Sequence, residues 1–193
     1  MKLFFSISLI TCSIFFMSLA GDVPHQLHEG KGLDDIILKK SPESDVIKKF
    51  GTDFKIITHH NEDDRDSLRD SIVACTEQRY EKLGLSFFYW GNDTTQLYTI
   101  QVRPPFIGVT DKGIGFVSTM NAARTKYGEQ DLQFYDGYAT IQFPGVTFYC
   151  SSSWKGSGSP PHTVWDATLK KKIDEIDLCF GFADLHYDKN DNR

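Results

Sequence analysis

An α+β fold is what this sequence predicts: two tandem repeats, each a helix followed by antiparallel strands, forming one extended sheet with the helices on one face. Three matched pairs of segments predict it. "DDIILKKSPESDVIKKFG", residues 34–51, has a second copy in "KGIGFVSTMNAARTKYG", residues 112–128. "GLSFFYW" from Gly84 resembles "GVTFYCS" from Gly145, and "QLYTIQV" from Gln96 resembles "KIDEIDL" from Lys172. Any one match is compatible with chance; three in the same order point to an internal duplication.

The elements follow in chain order. The first residues, "MKLFFSISLITCSIFFMSLAGDVPHQ", pair a positive Lys2 with an apolar run from Leu3 to Phe16 and small residues at Ser18 and Ala20. That is the anatomy of a secretory signal over residues 1–20, cleaved near Ala20. The run falls short of the roughly 20 residues a membrane span needs, so no stable span is expected. A lipoprotein signal at Cys12 is disfavoured because Thr11 before it is not small. A linker over residues 21–33 then leads into a first module, residues 34–103.

Each module opens with a short helix. Ser41 and Ser118 are placed to N-cap, accepting a free amide of the first turn. Pro42 suits the first helical position, where its missing N–H costs nothing. Gly51 and Gly128 stand where a helix ends in the left-handed conformation. Val46, Ile47 and Phe50 in one copy, and Ala123 and Tyr127 in the other, give each helix an apolar face. Strands follow, "RPPF" at Arg103 to Phe106 breaks the chain between copies, and a second module runs over residues 107–181. A polar tail occupies residues 182–193. The separation between matched positions is not constant, which puts an insertion in each copy. One lies within "HHNEDDRDSLRDSIVACTEQRYEKL", the other within "SSSWKGSGSPPHTVWDATLKK". Insertions map to loops, where binding and catalytic residues concentrate.

Composition narrows the function classes. With 40% hydrophobic and 24% charged residues the chain reads as an ordinary globular protein, and its net charge of −5 disfavours nucleic acid as a partner. Binding to a phosphate backbone needs clustered Lys and Arg. Beyond the signal, Cys75, Cys150 and Cys179 permit one disulfide and one free thiol in an oxidising compartment. Strand parity sets Cys150 and Cys179 on opposite faces, so any bridge is expected to involve Cys75. No Cys/His cluster has zinc-ligand spacing, and neither a metal nor a cofactor is expected.

On these segments the chain resembles the tandem-repeat architecture of secreted β-lactamase inhibitor proteins. It is similar also to the small outer-membrane-assembly lipoproteins that carry one such module. "LGLSFFYW" and "IQVRPPFIGVTDKGI" are similar to stretches of uncharacterised secreted bacterial proteins. The resemblance covers most of Asp34 to Phe180. It implies helices packed on one face of an antiparallel sheet, with the other face free to bind a protein. No contact residue of the inhibitors transfers to this sequence.

Alternation locates that face independently. Leu85, Phe87 and Tyr89, with Val146, Phe148 and Cys150, are expected under the helices. Ser86, Phe88, Trp90, Thr147 and Tyr149 then point the other way. Phe88, Trp90, Tyr149 and Trp154 are the candidate partner-binding residues, because aromatics bury much area at modest entropy cost. The alternative is that Phe88 and Trp90 lie beneath an insertion as core. No residue is assigned a catalytic role. "HHNEDDRD", residues 59–66, offers imidazoles and carboxylates, yet consecutive charges usually make a solvated loop. "SSSWKGSGSPPH" lacks the G-x-S-x-G elbow that nucleophilic catalysis would need. Asp174 and Asp177 are candidate paired carboxylates, read more simply as the exposed face of a strand. "NDT" at Asn92 reads as a hairpin turn, and "DKNDNR" lacks the Gly and Glu that complete a calcium loop. The expectation is an extracytoplasmic protein-binding module, secreted or periplasmic, inhibitor-like or envelope-associated. The rivals are an extracytoplasmic hydrolase or metal-binding enzyme using the inserted loops, and a structural envelope protein.

Overall fold

The computed structural model describes residues 24–60, 73–91, 93–135, 137–156 and 159–179. The expected signal, the polar tail, most of "HHNEDDRD" and Asn92 of "NDT" lie outside the described residues. In chain order come β1 (His25–His28), β2 (Gly32–Leu33), β3 (Ile36–Ile37), α1 (Glu43–Phe50), β4 (Lys55–His60) and β5 (Val73–Tyr80). A 3-10 turn (Glu81–Leu83) leads to β6 (Leu85–Trp90), β7 (Leu97–Val102) and β8 (Gly108–Thr110). Then follow α2 (Met120–Tyr127), β9 (Gln133–Tyr135), β10 (Tyr138–Phe143), β11 (Val146–Ser151), α3 (His162–Leu169) and β12 (Glu175–Cys179). The fold is α+β and mostly sheet. Eight strands form one sheet in the order β4-β5-β6-β7-β12-β11-β10-β9, and four form a smaller one, β3-β2-β1-β8.

The helices form for local reasons. Glu43 and Asp45 open α1 while Lys48 and Lys49 close it, complementing the helix dipole at both ends. The expected caps are displaced by one residue. Pro42, extended at φ −74 and ψ 168, is the N-cap of α1, and Thr119 caps α2 by accepting the Ala122 amide at 3.2 Å. Ser41 and Ser118 instead brace the turn before each helix, their hydroxyls accepting the amides of Ile37 (2.9 Å) and Gly115 (3.2 Å). Gly51 and Gly128 end the helices at positive φ as expected, with ψ extended rather than left-handed helical.

All three helices pack on one face of the large sheet. Val46, Met120 and Ala123 join Leu85, Phe87, Tyr89, Val146, Phe148 and Cys150 in a single buried cluster, as alternation predicts. Phe50 of α1 meets Phe87 at 5.5 Å, and Trp165 of α3 meets Phe134 at 5.7 Å. Residues 25–33, expected to be linker, form β1 and β2, and their Leu27 and Leu33 are fully buried in the same core. β1 runs parallel to β8, pairing His25 with Gly108 and Leu27 with Thr110. The first insertion is flanked by strand: β4 and β5 pair across it from Lys55↔Arg79 to His60↔Val73.

No disulfide joins the three described thiols. Cys150 faces the helices, whereas Cys179 shares the opposite face with Asp177, so those two are kept apart as parity requires. Cys75, expected in any bridge, lies opposite Trp90 on β5, and two strands separate β5 from β12. At about 4.8 Å per strand that gap is roughly 14 Å, beyond disulfide reach.

Candidate binding face

The face opposite the helices carries a floor of short side chains. Ser86, Thr99, Thr147 and Thr140, one on each of β6, β7, β11 and β10, are all buried. Register aligns them into rows across the sheet: Phe88 opposes Thr99, which opposes Cys179, and Asp177 lies between Gln101 and Thr147.

Aromatics lie on the same face, on both sides of β12. On the first half, Trp90 is 63% exposed and meets Tyr98 edge-on at 5.5 Å, with Phe88 6.5 Å from the same Tyr98. On the second half, Tyr135 and Tyr138 stack at 4.9 Å, both about two-fifths exposed, and Tyr149 lies 6.3 Å from Tyr138. Phe88, Trp90 and Tyr149 therefore share one surface, and Trp90 is not sealed in the core. Trp154 lies in the loop after β11, outside the strand register that places the other three, its carbonyl accepting the Gly137 amide at 3.2 Å and its buried Nε1 without a partner among the described residues. Tyr98, Tyr135 and Tyr138 went unnoticed in the sequence. Alternation of "YATIQF" marks Tyr138, whereas alternation of "QLYTIQV" sets Tyr98 with Ile100 in the core, because it cannot foresee the bulge between Phe88 and Tyr89 that shifts the register beside Tyr98.

Charge on this face is largely paired. Glu77, 1% exposed, accepts Arg79 Nε at 2.6 Å and Nη2 at 2.9 Å, with His59 Nε2 at 3.0 Å from the same carboxyl. Burial alone would raise its pKa, but bonds from Arg79, Ser86 and His59 outweigh that and hold it below the usual value. Arg103 binds Glu175, which also accepts Gln101 Nε2 at 3.0 Å. Asp177 is the exception. It is only 6% exposed, not on an exposed strand face as expected, and its Oδ1 has no bonded partner among the described residues. Burial pushes its carboxyl up to about 7, and the neighbouring Glu175 charge adds to that. Hydrogen bonding from Tyr149 and Gln101 and the Arg103 charge oppose it. The Tyr149 phenol is raised in turn, by burial and by the Asp177 charge.

A cleft of about 520 Å³ opens beside these groups, bordered among others by Gln101, Tyr138, Tyr149, Glu175 and Asp177. The inserted loops show turn chemistry. His59 serves Glu77, and no three His, Cys, Asp or Glu converge as metal donors among the described residues. Ser152 Oγ accepts the Trp154 amide, His162 opens α3, and Asp93 closes a turn by accepting the Thr95 amide and hydroxyl. No described helix is long and apolar enough to cross a membrane.

No family model, curated protein sequence or solved structure matches this chain.

Proposed function

We propose that this protein is a secreted or periplasmic binding module, inhibitor-like or envelope-associated, that engages a protein partner across its open sheet face. The observation that carries the reading is the aromatic row on this face, with Trp90, Tyr135 and Tyr138 exposed and Phe88, Tyr98 and Tyr149 half-buried beside them. Large amphipathic rings beside buried short polar side chains suit protein recognition, since such residues dominate binding energy at interfaces. Eight strands at about 4.8 Å spacing span roughly 34 Å, the breadth of a standard protein interface.

A tandem repeat of the β-lactamase-inhibitor kind is part of the same proposal. Two features favour it: each half runs helix then strands, and the sheet order reads outward from the β7–β12 seam in the same sequence on both sides. An extracytoplasmic site is supported by the charge, apolar run and small residues of the first twenty positions.

The test is affinity capture from the protein's own culture with the wild type and with Trp90→Ala and Phe88→Ala. A partner held by the wild type is expected to be lost or weakened about tenfold or more in each variant. Circular dichroism should stay unchanged for the exposed Trp90→Ala. Undiminished capture by both variants would count against the face.

A further inference from the structure

The cleft beside β12 has a chemistry of its own. Three carboxylates border it, Asp174, Glu175 and Asp177, and among the described residues no lysine or arginine lines it, although Arg103 pairs with Glu175 and Lys171 Nζ donates to the rim carbonyl of Ser151 at 2.9 Å. Asp174 Oδ2 accepts the Ser151 amide at 2.7 Å, and Glu175 is held by Arg103 and Gln101. Asp177 keeps one buried oxygen without a donor among the described residues. The hydroxyls of Thr99 and Thr140, on the same face, are buried and unbonded as well. An orphaned carboxylate oxygen is costly to bury, and a cationic donor removes that cost most completely. The walls suit a cation with an apolar stem. Tyr138 and Tyr149 present rings along which methylenes pack and over which a positive head is attracted.

We propose that the partner seats a lysine or arginine side chain in this cleft, its cationic head between Asp177 and Glu175 and its stem along Tyr138 and Tyr149. This rests on the open-face reading above. The side chain belongs to a protein rather than to a free organic cation because the cleft is continuous with the aromatic row, which extends over both halves of the sheet. Oδ1 lies beneath the cleft surface, and rotation about the soft terminal torsion of Asp177 brings it to the incoming head. The acid then ionises fully in exchange for a short charge-assisted bond.

The experiment titrates the full chain with hexaarginine amide, hexaglutamate and n-butylammonium chloride, followed by amide NMR shifts at Gln101, Tyr149 and Glu175. Hexaarginine is expected to shift these signals to saturation, and hexaglutamate to leave them in place. Asp177→Asn should weaken hexaarginine about tenfold or more, while Asp166→Asn, which removes the same charge from an exposed helix position, changes it less than about twofold. Glu175→Gln keeps the buried acid and should cost about threefold or more, so it decides the matter should Asp177→Asn not fold. Equal hexaarginine affinity in Asp177→Asn and wild type overturns the seat, the attraction then being to net charge alone. Butylammonium binding as tightly as hexaarginine overturns it too, in favour of a small free cation. Capture lost in Trp90→Ala with hexaarginine affinity kept in Asp177→Asn removes the seat and leaves the face. Capture kept in both Trp90→Ala and Phe88→Ala removes the face and the seat together.

Discussion

Glu77 and Asp177 lie on the same sheet surface, and burial pushes both carboxyls up, but their neighbours decide opposite outcomes. Glu77 is surrounded by Arg79, Ser86 and His59, so its carboxyl is held below the usual range. Its pairs stabilise the fold above the unfolded pKa and are lost as pH falls. Asp177 is buried with the Glu175 charge beside it, and the bonds from Tyr149 and Gln101 do not offset this, so its carboxyl rises to about 7 from 3.8. Between those two values the native state binds more protons than the unfolded chain, and stability must fall as pH rises. The fall is complete about one pH unit above 7 and is on the order of 4 kcal/mol. Asp177→Asn cannot titrate and should lack this component. Urea unfolding at intervals from pH 4 to 8 is therefore expected to show the variant gaining on the wild type as pH rises. Parallel stability curves would mean that Asp177 is solvated.

Two glycines show how elements, rather than residues, are held in register. Gly84 and Gly145 immediately precede β6 and β11, at φ +68° and +82°. A Cβ on Gly84 would lie 2.1 Å from the Arg103 carbonyl oxygen, and one on Gly145 would lie 2.3 Å from the Gly30 amide nitrogen. Neither backbone neighbour can move cheaply, because Arg103 donates to the Gly84 carbonyl and Gly30 donates to the Gly145 carbonyl. Gly51 has a similar φ of +84° with open space around it. Gly84→Ala and Gly145→Ala should each cost about 3 kcal/mol or more, and Gly51→Ala only the strain of about 1 kcal/mol. Similar losses in urea unfolding for all three would refute close backbone approach as the cause. These glycines also mark what was legible beforehand. "GLSF" and "GVTF" announced β6 and β11, and alternation set Phe88, Trp90 and Tyr149 on one face. β4, β5, β9 and β10 were not legible: "VACTEQRY" reads as polar because Glu77 and Arg79 satisfy each other only after folding. α3 was hidden behind a Ser-, Gly- and Pro-rich lead-in. Asp177 looked like any solvated strand residue, since its burial comes from neighbours on other strands.

Across the whole molecule, the two halves share one core and one seam. β7 and β12 pair from Val102↔Ile176 to Thr99↔Cys179, so the open face is continuous only where both halves are folded. The N-terminal segment ties them further. Lys39 donates to the Leu97 carbonyl in the first half at 2.6 Å, while Gly30 donates to the Gly145 carbonyl in the second at 3.0 Å. Leu27 and Leu33 sit in the cluster that holds both Phe87 and Phe148. Unfolding either half would strip apolar cover from that cluster and expose the backbone edge of its seam strand, a cost the remaining half cannot recover. The halves should therefore open as one unit. Native-state hydrogen exchange of the Phe87 and Phe148 amides is expected to report the same opening free energy, within about 1 kcal/mol, and the same denaturant dependence. A larger gap, or a plateau at which one amide exchanges while the other stays protected, would show two independent units. Trp90 and the Asp177 cleft would then belong to separately folding surfaces, and a partner would have no single platform to read.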